Sequence, residues 1–188
     1  MKPLYPIIAS LLVLPVLLCT SQQLVAQQWQ KIGPTGGDVR ALTLDPATGI
    51  VYASGNYRIY RLFPGDTVWS PTESIEFQIP SQAISRFVPT PNGVFAIAGC
   101  CTLLFSSDRG ETWETHYEST QGTLLSPTYL KDSLYLYASG LLYTSYDNGY
   151  TWNRSDSIPF LGSSLYTNGQ DLYMTASDGL YRKEENGT

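Results

Sequence analysis

Beyond residue 26 the apolar positions of this chain fall into short runs, with no window of sustained helical spacing. Four runs share one form: IVYAS from Ile50, VFAIA from Val94, LYLYA from Leu134 and LYMTA from Leu172. Each is entered from a cluster of turn formers, namely Asp45-Pro46-Ala47-Thr48-Gly49, Thr90-Pro91-Asn92-Gly93, Lys131-Asp132-Ser133 and Asn168-Gly169-Gln170-Asp171. Short side-chain acceptors and residues with unusual φ close tight turns, so each cluster reads as a turn that delivers a strand. The runs start 44, 40 and 38 residues apart. One supersecondary unit is therefore predicted to repeat along the chain.

Within a unit the pattern predicts strand, turn, strand, short connection, strand, turn, strand. In the third unit the strands would cover Leu124 to Tyr129, Leu134 to Ala138 and Leu141 to Ser145, with a last strand opening at Trp152. Fourteen tyrosines, together with many Val, Ile and Thr, favour sheet, and essentially no helix is expected after residue 26. A sheet of four short strands cannot bury both of its faces alone. It has to lean on like neighbours, and radial stacking of such sheets gives a β-propeller. The predicted fold is all-β, with about four blades of four antiparallel strands.

The four tryptophans keep the same beat. Trp29, Trp69, Trp113 and Trp152 are separated by 40, 44 and 39 residues. Two of them close an eight-residue motif, SSDRGETW from Ser106 and SYDNGYTW from Ser145, both fitting Ser-x-Asp-x-Gly-x-Thr-Trp. Asp108 and Asp147 offer short acceptors to backbone N–H groups inside a tight turn, and Gly110 and Gly149 permit positive φ there. Ser106, Thr112, Ser145 and Thr151 can hold the remaining polar groups. Trp113 and Trp152 would cover the turn and seal one blade against the next.

These motifs resemble the bacterial neuraminidase, or Asp-box, repeat, which the family places between the third and fourth strands of a propeller blade. The resemblance implies structural boxes at the rim, away from any active centre. In style the sequence is most similar to the noncatalytic repeats of the photosystem II assembly-factor and sortilin types, through Trp29, Gly36-Gly37, Val39 to Leu44, Asp45-Pro46 and the two boxes. The clustered arginines of the assembly factors have no clear counterpart. Two further copies are degraded. In YRLFPGDTVW, counting back from Trp69 puts Pro64 at the aspartate place and Asp66 at the glycine place, while near the C-terminus Glu185 and Gly187 take those two places. Ending inside such a motif is read as a propeller continued by further blades. The alternative is a small ring closed by Gln28 to Gly33 acting as the last blade's fourth strand.

Residues 1–26 read as a cleaved secretory signal, with Lys2, an apolar stretch from Ile7 to Leu18 too short to span a bilayer comfortably, and Leu24-Val25-Ala26 before the cut. Residues 27–188 would be the propeller, secreted, periplasmic or at the cell surface of a bacterium. Lipidation at Cys19 is disfavoured because Leu18 stands where Gly, Ala or Ser is wanted. The net charge of −5 becomes −6 when Lys2 leaves, and no basic stripe exists to neutralise phosphates, which argues against nucleic acid. The adjacent Cys100 and Cys101 read as two small apolar residues in or beside a buried strand, rather than as a vicinal disulfide. A lone His116 beside that pair makes no zinc site, and no metal or cofactor is assigned.

Because sialidases carry Asp boxes, an enzyme has to be weighed. Phe77-Gln78-Ile79-Pro80 resembles the sialidase Phe/Tyr-Arg-Ile-Pro motif but has glutamine in place of the arginine, and a neutral amide cannot form the bidentate pair a carboxylate needs. Tyr57-Arg58-Ile59-Tyr60 keeps an arginine but falls in an ordinary third strand. Asp38 could be proposed as one of a xyloglucanase-like pair, though it reads more simply as a loop residue before the first strand. The sequence therefore predicts a noncatalytic module for an unidentified protein or glycan. The alternative is the N-terminal part of a propeller glycoside hydrolase with catalytic residues mostly beyond residue 188.

Overall fold

The computed structural model describes residues 30–34, 38–55, 58–72, 83–119, 124–157 and 162–184. Residues 1–26, expected to be a leader, and Trp29, Gly36-Gly37, Phe77 to Pro80, Glu185 and Gly187 lie outside those residues. The chain divides into two compact units, Met1–Lys31 and Ile32–Thr188, and every described strand belongs to the second.

The described residues form fifteen strands and no helix. The first sheet is β1 (Val39–Leu44), β2 (Val51–Gly55), β3 (Arg58–Leu62) and β4 (Ser70–Pro71), and the second is β5 (Ile84–Thr90), β6 (Gly93–Ala98), β7 (Thr102–Ser106) and β8 (Glu114–Glu118). The third is β9 (Leu124–Leu130), β10 (Ser133–Ala138), β11 (Leu141–Ser145) and β12 (Asn153–Ser157). A fourth sheet holds β13 (Gly162–Thr167), β14 (Leu172–Ala176) and β15 (Gly179–Arg182), three strands among the described residues. Each is an antiparallel meander whose strands pair in chain order. The first strands of successive sheets stand side by side, β1 by β5, β5 by β9 and β9 by β13. The sheets are thus the blades of a propeller.

Blade stacking follows from the period of two along each strand. Ala41, Tyr52 and Ile59 of blade 1 meet Phe87, Val94, Ala96 and Leu104 of blade 2 in one apolar cluster. Blade 2 turns Phe95, Leu103 and Phe105 the other way, onto Leu134 and Leu136 of blade 3. Tyr137 and Leu142 of blade 3 then meet Leu165, Leu172 and Met174 of blade 4. Each buried side chain of this size is worth about 2 kcal/mol, and none could be buried by one blade alone.

A bulge recurs where the first strand of each blade enters its sheet, between Val39 and Ala41, between Ile84 and Arg86, opposite Tyr135 to Tyr137, and between Gly162 and Ser164. The outer strand of blade 2 bulges as well, and the residue left out of its ladder is His116.

The cysteines depart from the sequence-based expectation. Cys100 and Cys101 are joined to each other by a disulfide. They occupy the turn between Ala98, which ends β6, and Thr102, which opens β7. There Cys100 is exposed and Cys101 half-buried, so the pair does not sit as two buried strand residues. Gly99 N–H donates to the Ala83 carbonyl (3.0 Å) and Ser119 N–H to the Cys101 carbonyl (2.9 Å), which ties the turn to the strands on either side.

Candidate functional site

Both complete boxes link the third strand of a blade to its fourth, after β7 and after β11. In the first, the Ser106 hydroxyl donates to Asp108 Oδ1 (2.7 Å) and accepts the Gly110 N–H (2.8 Å). Asp108 also accepts the Thr112 N–H (2.9 Å) and the Thr112 hydroxyl (2.5 Å). The second repeats the set: the Ser145 hydroxyl donates to Asp147 Oδ1 (2.8 Å), Gly149 N–H to the Ser145 hydroxyl (2.7 Å), and the Thr151 N–H and hydroxyl to Asp147 (2.8 and 2.6 Å). Partial burial raises the Asp108 carboxyl, but the Thr112 and Ser106 bonds outweigh it and hold the group below the ordinary carboxylate range. The Thr151 hydroxyl and amide lower the Asp147 carboxyl in the same way. These carboxylates are spent on backbone and neighbouring hydroxyls.

What the glycines pack on lies in the preceding blade. A Cβ at Gly110 would stand 2.7 Å from Tyr52 Cε1 and 3.2 Å from Arg61 Cδ, both of blade 1. At Gly149 it would meet Phe95 Cε1 at 3.2 Å and His116 Nδ1 at 3.4 Å, both of blade 2. Arg61 secures the first contact by donating through Nη1 to Glu111 (2.9 Å) and to the Arg109 carbonyl (3.3 Å). Its side chain is only 6% exposed. Burial, with the charge of Asp45 adding, pushes the Tyr52 phenol up to about 12. The bulge at His116 turns its ring between Phe105 (4.7 Å) and Tyr150 of the second box (4.4 Å). Trp113 donates to the Gly110 carbonyl (3.2 Å) and packs on the cluster between blades 1 and 2, while Trp152 lies 5.9 Å from Tyr117 across the next interface.

The degraded turn of blade 1 differs from the sequence alignment. Asp66 N–H donates to the Phe63 carbonyl, as Glu111 N–H does to Asp108, and Gly65 rather than Asp66 has positive φ, at 86°. Gly65 therefore holds the glycine place. The turn is one residue shorter before it and one longer after it, so counting back from Trp69 misplaces the match.

Away from the boxes, the first strands of blades 2, 3 and 4 line a cavity of about 240 Å³. Its walls include Arg86, Pro89, Pro127, Tyr129 and Tyr166, with no carboxylate among the described lining residues. Arg86 Nη2 donates to the Leu165 carbonyl (3.2 Å), and its guanidinium lies 5.5 Å from the centre of the Tyr166 ring. Burial lowers the Arg86 pKa, with Tyr166 opposing. Sequence reasoning passed over this place because its residues come from three repeats at positions that carry no motif. A smaller cavity of about 70 Å³ lies between blades 1 and 2, lined by Asp38, Arg40, Ser54 and Arg58. Asp38 there pairs with Arg40 (3.1 Å), both exposed, and Arg58 opens β3. Among the described residues no group of three or more His, Cys, Asp or Glu could hold a metal ion.

No protein-family model matches the chain, and neither does any curated protein sequence. Solved structures do. YCF48 from Cyanidioschyzon merolae superposes with a TM-score of 0.65 at 14% identity, over 82% of this chain and 56% of that one. The fold is that of a β-propeller. YCF48 bound to D1 peptide gives 0.64 at 15% identity, over 82% and 54%. The GH74 enzyme of Niastella koreensis gives 0.61 at 17% identity, over 82% of this chain but 24% of its own. This propeller chain spans little more than half the length of the YCF48 structures. Its neighbours include both a peptide-bound protein and an enzyme, and the Asp-box assignment is consistent with them.

Proposed function

We propose that this chain is an exported, noncatalytic Asp-box propeller that binds an extended segment of a protein or glycan, with residues 1–26 as its cleaved leader. The observation that carries the reading is the cavity across blades 2, 3 and 4. It offers the faces of Tyr129 and Tyr166, two prolines and one partly desolvated guanidinium, a surface suited to stacking and to hydrogen bonding. The peptide carried by one YCF48 structure supports a protein ligand. The boxes serve as structural clasps, since their carboxylates are saturated by their own turns.

The test is binding of the full chain to a displayed peptide library and to a panel of soluble oligosaccharides. Arg86→Ala and Tyr166→Ala are expected to abolish capture of whatever the native protein selects, and undiminished capture by both would refute the cavity as the site. The likeness to the GH74 enzyme favours a second reading, a propeller glycoside hydrolase with catalytic residues mostly beyond residue 188. Turnover of xyloglucan or of fluorogenic sialosides by the full protein would establish that reading instead.

A further inference from the structure

The Cys100–Cys101 disulfide joins neighbours in the chain and stands in a turn that other blades close without sulfur. In blade 3 the second strand passes to the third through Ser139 and Gly140, with Ala138 facing Leu141. Blade 4 does the same through Ser177 and Asp178, with Ala176 facing Gly179. In blade 2 Ala98 faces Thr102, so the turn holds one residue more, as Gly99, Cys100 and Cys101. The hairpin itself does not need that length, which is where the pair of cysteines fits.

The bond has little structural duty. Its loop contains a single peptide group, and so short a loop constrains the unfolded chain weakly. The turn is also fastened without it. Ala83, just before β5, accepts the Gly99 N–H, and Ser119, just after β8, donates to the Cys101 carbonyl. β5 and β8 are the two outer strands of the sheet, so backbone bonds tie the turn to both sides of its own blade. Opening the disulfide therefore leaves two thiols side by side in a turn that keeps its place. The two residues are not equivalent, because Cys100 is exposed and Cys101 half-buried. Access decides which sulfur an incoming thiolate attacks, and Cys100 offers the open side.

We propose that Cys100–Cys101 is a thiol–disulfide exchange site that takes two electrons from a dithiol. A thiolate of the dithiol attacks Cys100 Sγ, the bond between the cysteines breaks, and its electron pair leaves on Cys101 Sγ, which takes up a proton. The second thiolate of the dithiol then attacks its own sulfur that is now bonded to Cys100. That bond breaks in turn, and Cys100 leaves as a thiolate and is protonated. The dithiol ends as a disulfide, having given up two electrons and two protons, and the cysteine pair holds them. A monothiol lacks the second step. The turn keeps Cys101 beside the mixed disulfide, so its sulfur expels the monothiol and the ring closes again.

The test mixes the full chain in its disulfide form with an equal concentration of dihydrolipoamide, and reads the cysteines by alkylation and mass spectrometry. More than about half of the chains are expected as the dithiol, where a structural disulfide would stay closed. Each pair reduced should yield one lipoamide disulfide by chromatography, with the circular dichroism spectrum unchanged. A pair that remains mostly closed, or that opens only as the spectrum is lost, overturns the proposal. Single variants assign the sulfurs. With oxidised glutathione, Cys101→Ser should gain a glutathione at Cys100 more than about fivefold faster than Cys100→Ser gains one at Cys101. Equal rates, or the reverse order, overturn Cys100 as the sulfur attacked.

Discussion

Gly110 sits against the Tyr52 ring of the neighbouring blade so closely that a Cβ would approach Cε1 to 2.7 Å. The glycine of the box thus has two duties, a positive φ of 77° within its own turn and a close approach across the interface. Gly140 has only the first, with φ 82° and nothing within 4 Å of a Cβ. Gly110→Ala is expected to cost about 2–4 kcal/mol, from overpacking added to backbone strain. Gly140→Ala should cost about 1 kcal/mol. Urea unfolding of the two variants side by side measures the difference.

Asp108 organises its turn through Ser106 and Thr112, and replacing it by alanine leaves the Thr112 N–H without its acceptor. Asp108→Ala should lower stability by about 1–2 kcal/mol. The shift should appear in the urea midpoint with an unchanged slope, since the surface exposed on unfolding stays the same.

The depressed carboxyls of Asp108 and Asp147 set an acid limit. With folded values below unfolded ones, the unfolded chain binds more protons as pH falls below the ordinary carboxylate value of about 4. Their stabilisation is full above that value and is lost as pH drops through the folded values. Thermal unfolding between about pH 5 and pH 2 should show a falling midpoint, with a shallower fall in Asp108→Asn.

At the alkaline end the sign follows Tyr52. Its phenol is raised from 10.0 to about 12, so the folded protein holds this proton while the unfolded chain releases it. The contribution is complete below pH 10 and disappears as pH rises towards 12. Absorbance at the tyrosinate band should include a late-ionising component that Tyr52→Phe removes.

The Cys100–Cys101 bond closes a very short loop. It therefore removes little entropy from the unfolded chain, about 1 kcal/mol in the loop-closure view. Reduction should move the unfolding midpoint only slightly. Alkylation followed by mass spectrometry should label both residues after reduction and neither before it.

Much of the fold is legible in the residues because blades must repeat to bury their faces. In the third unit, β11 spans Leu141–Ser145 as the pattern predicts, and the other strands differ from prediction by a residue at an end. Each second strand also carries an aliphatic residue followed by an aromatic one, Val51-Tyr52, Val94-Phe95, Leu134-Tyr135 and Leu172-Tyr173. In blades 1 and 2 the aromatic of that dyad, Tyr52 and Phe95, is the surface on which the glycine of the next box rests. Three features carry no such signal. The contracted turn at Gly65 keeps its tryptophan spacing by losing one residue and gaining another, the bulge at His116 changes no composition, and adjacent cysteines read equally well as small apolar residues. The Arg86 cavity is assembled from three strands distant in sequence, which no local pattern could bring together.

All the strand pairs described join neighbours along the chain. Closing any sheet therefore orders only short connections, and none has to await the arrival of a remote segment. A polypeptide wired in this way can gain its structure piece by piece in the order of synthesis or delivery, each finished sheet offering a template to the one that follows.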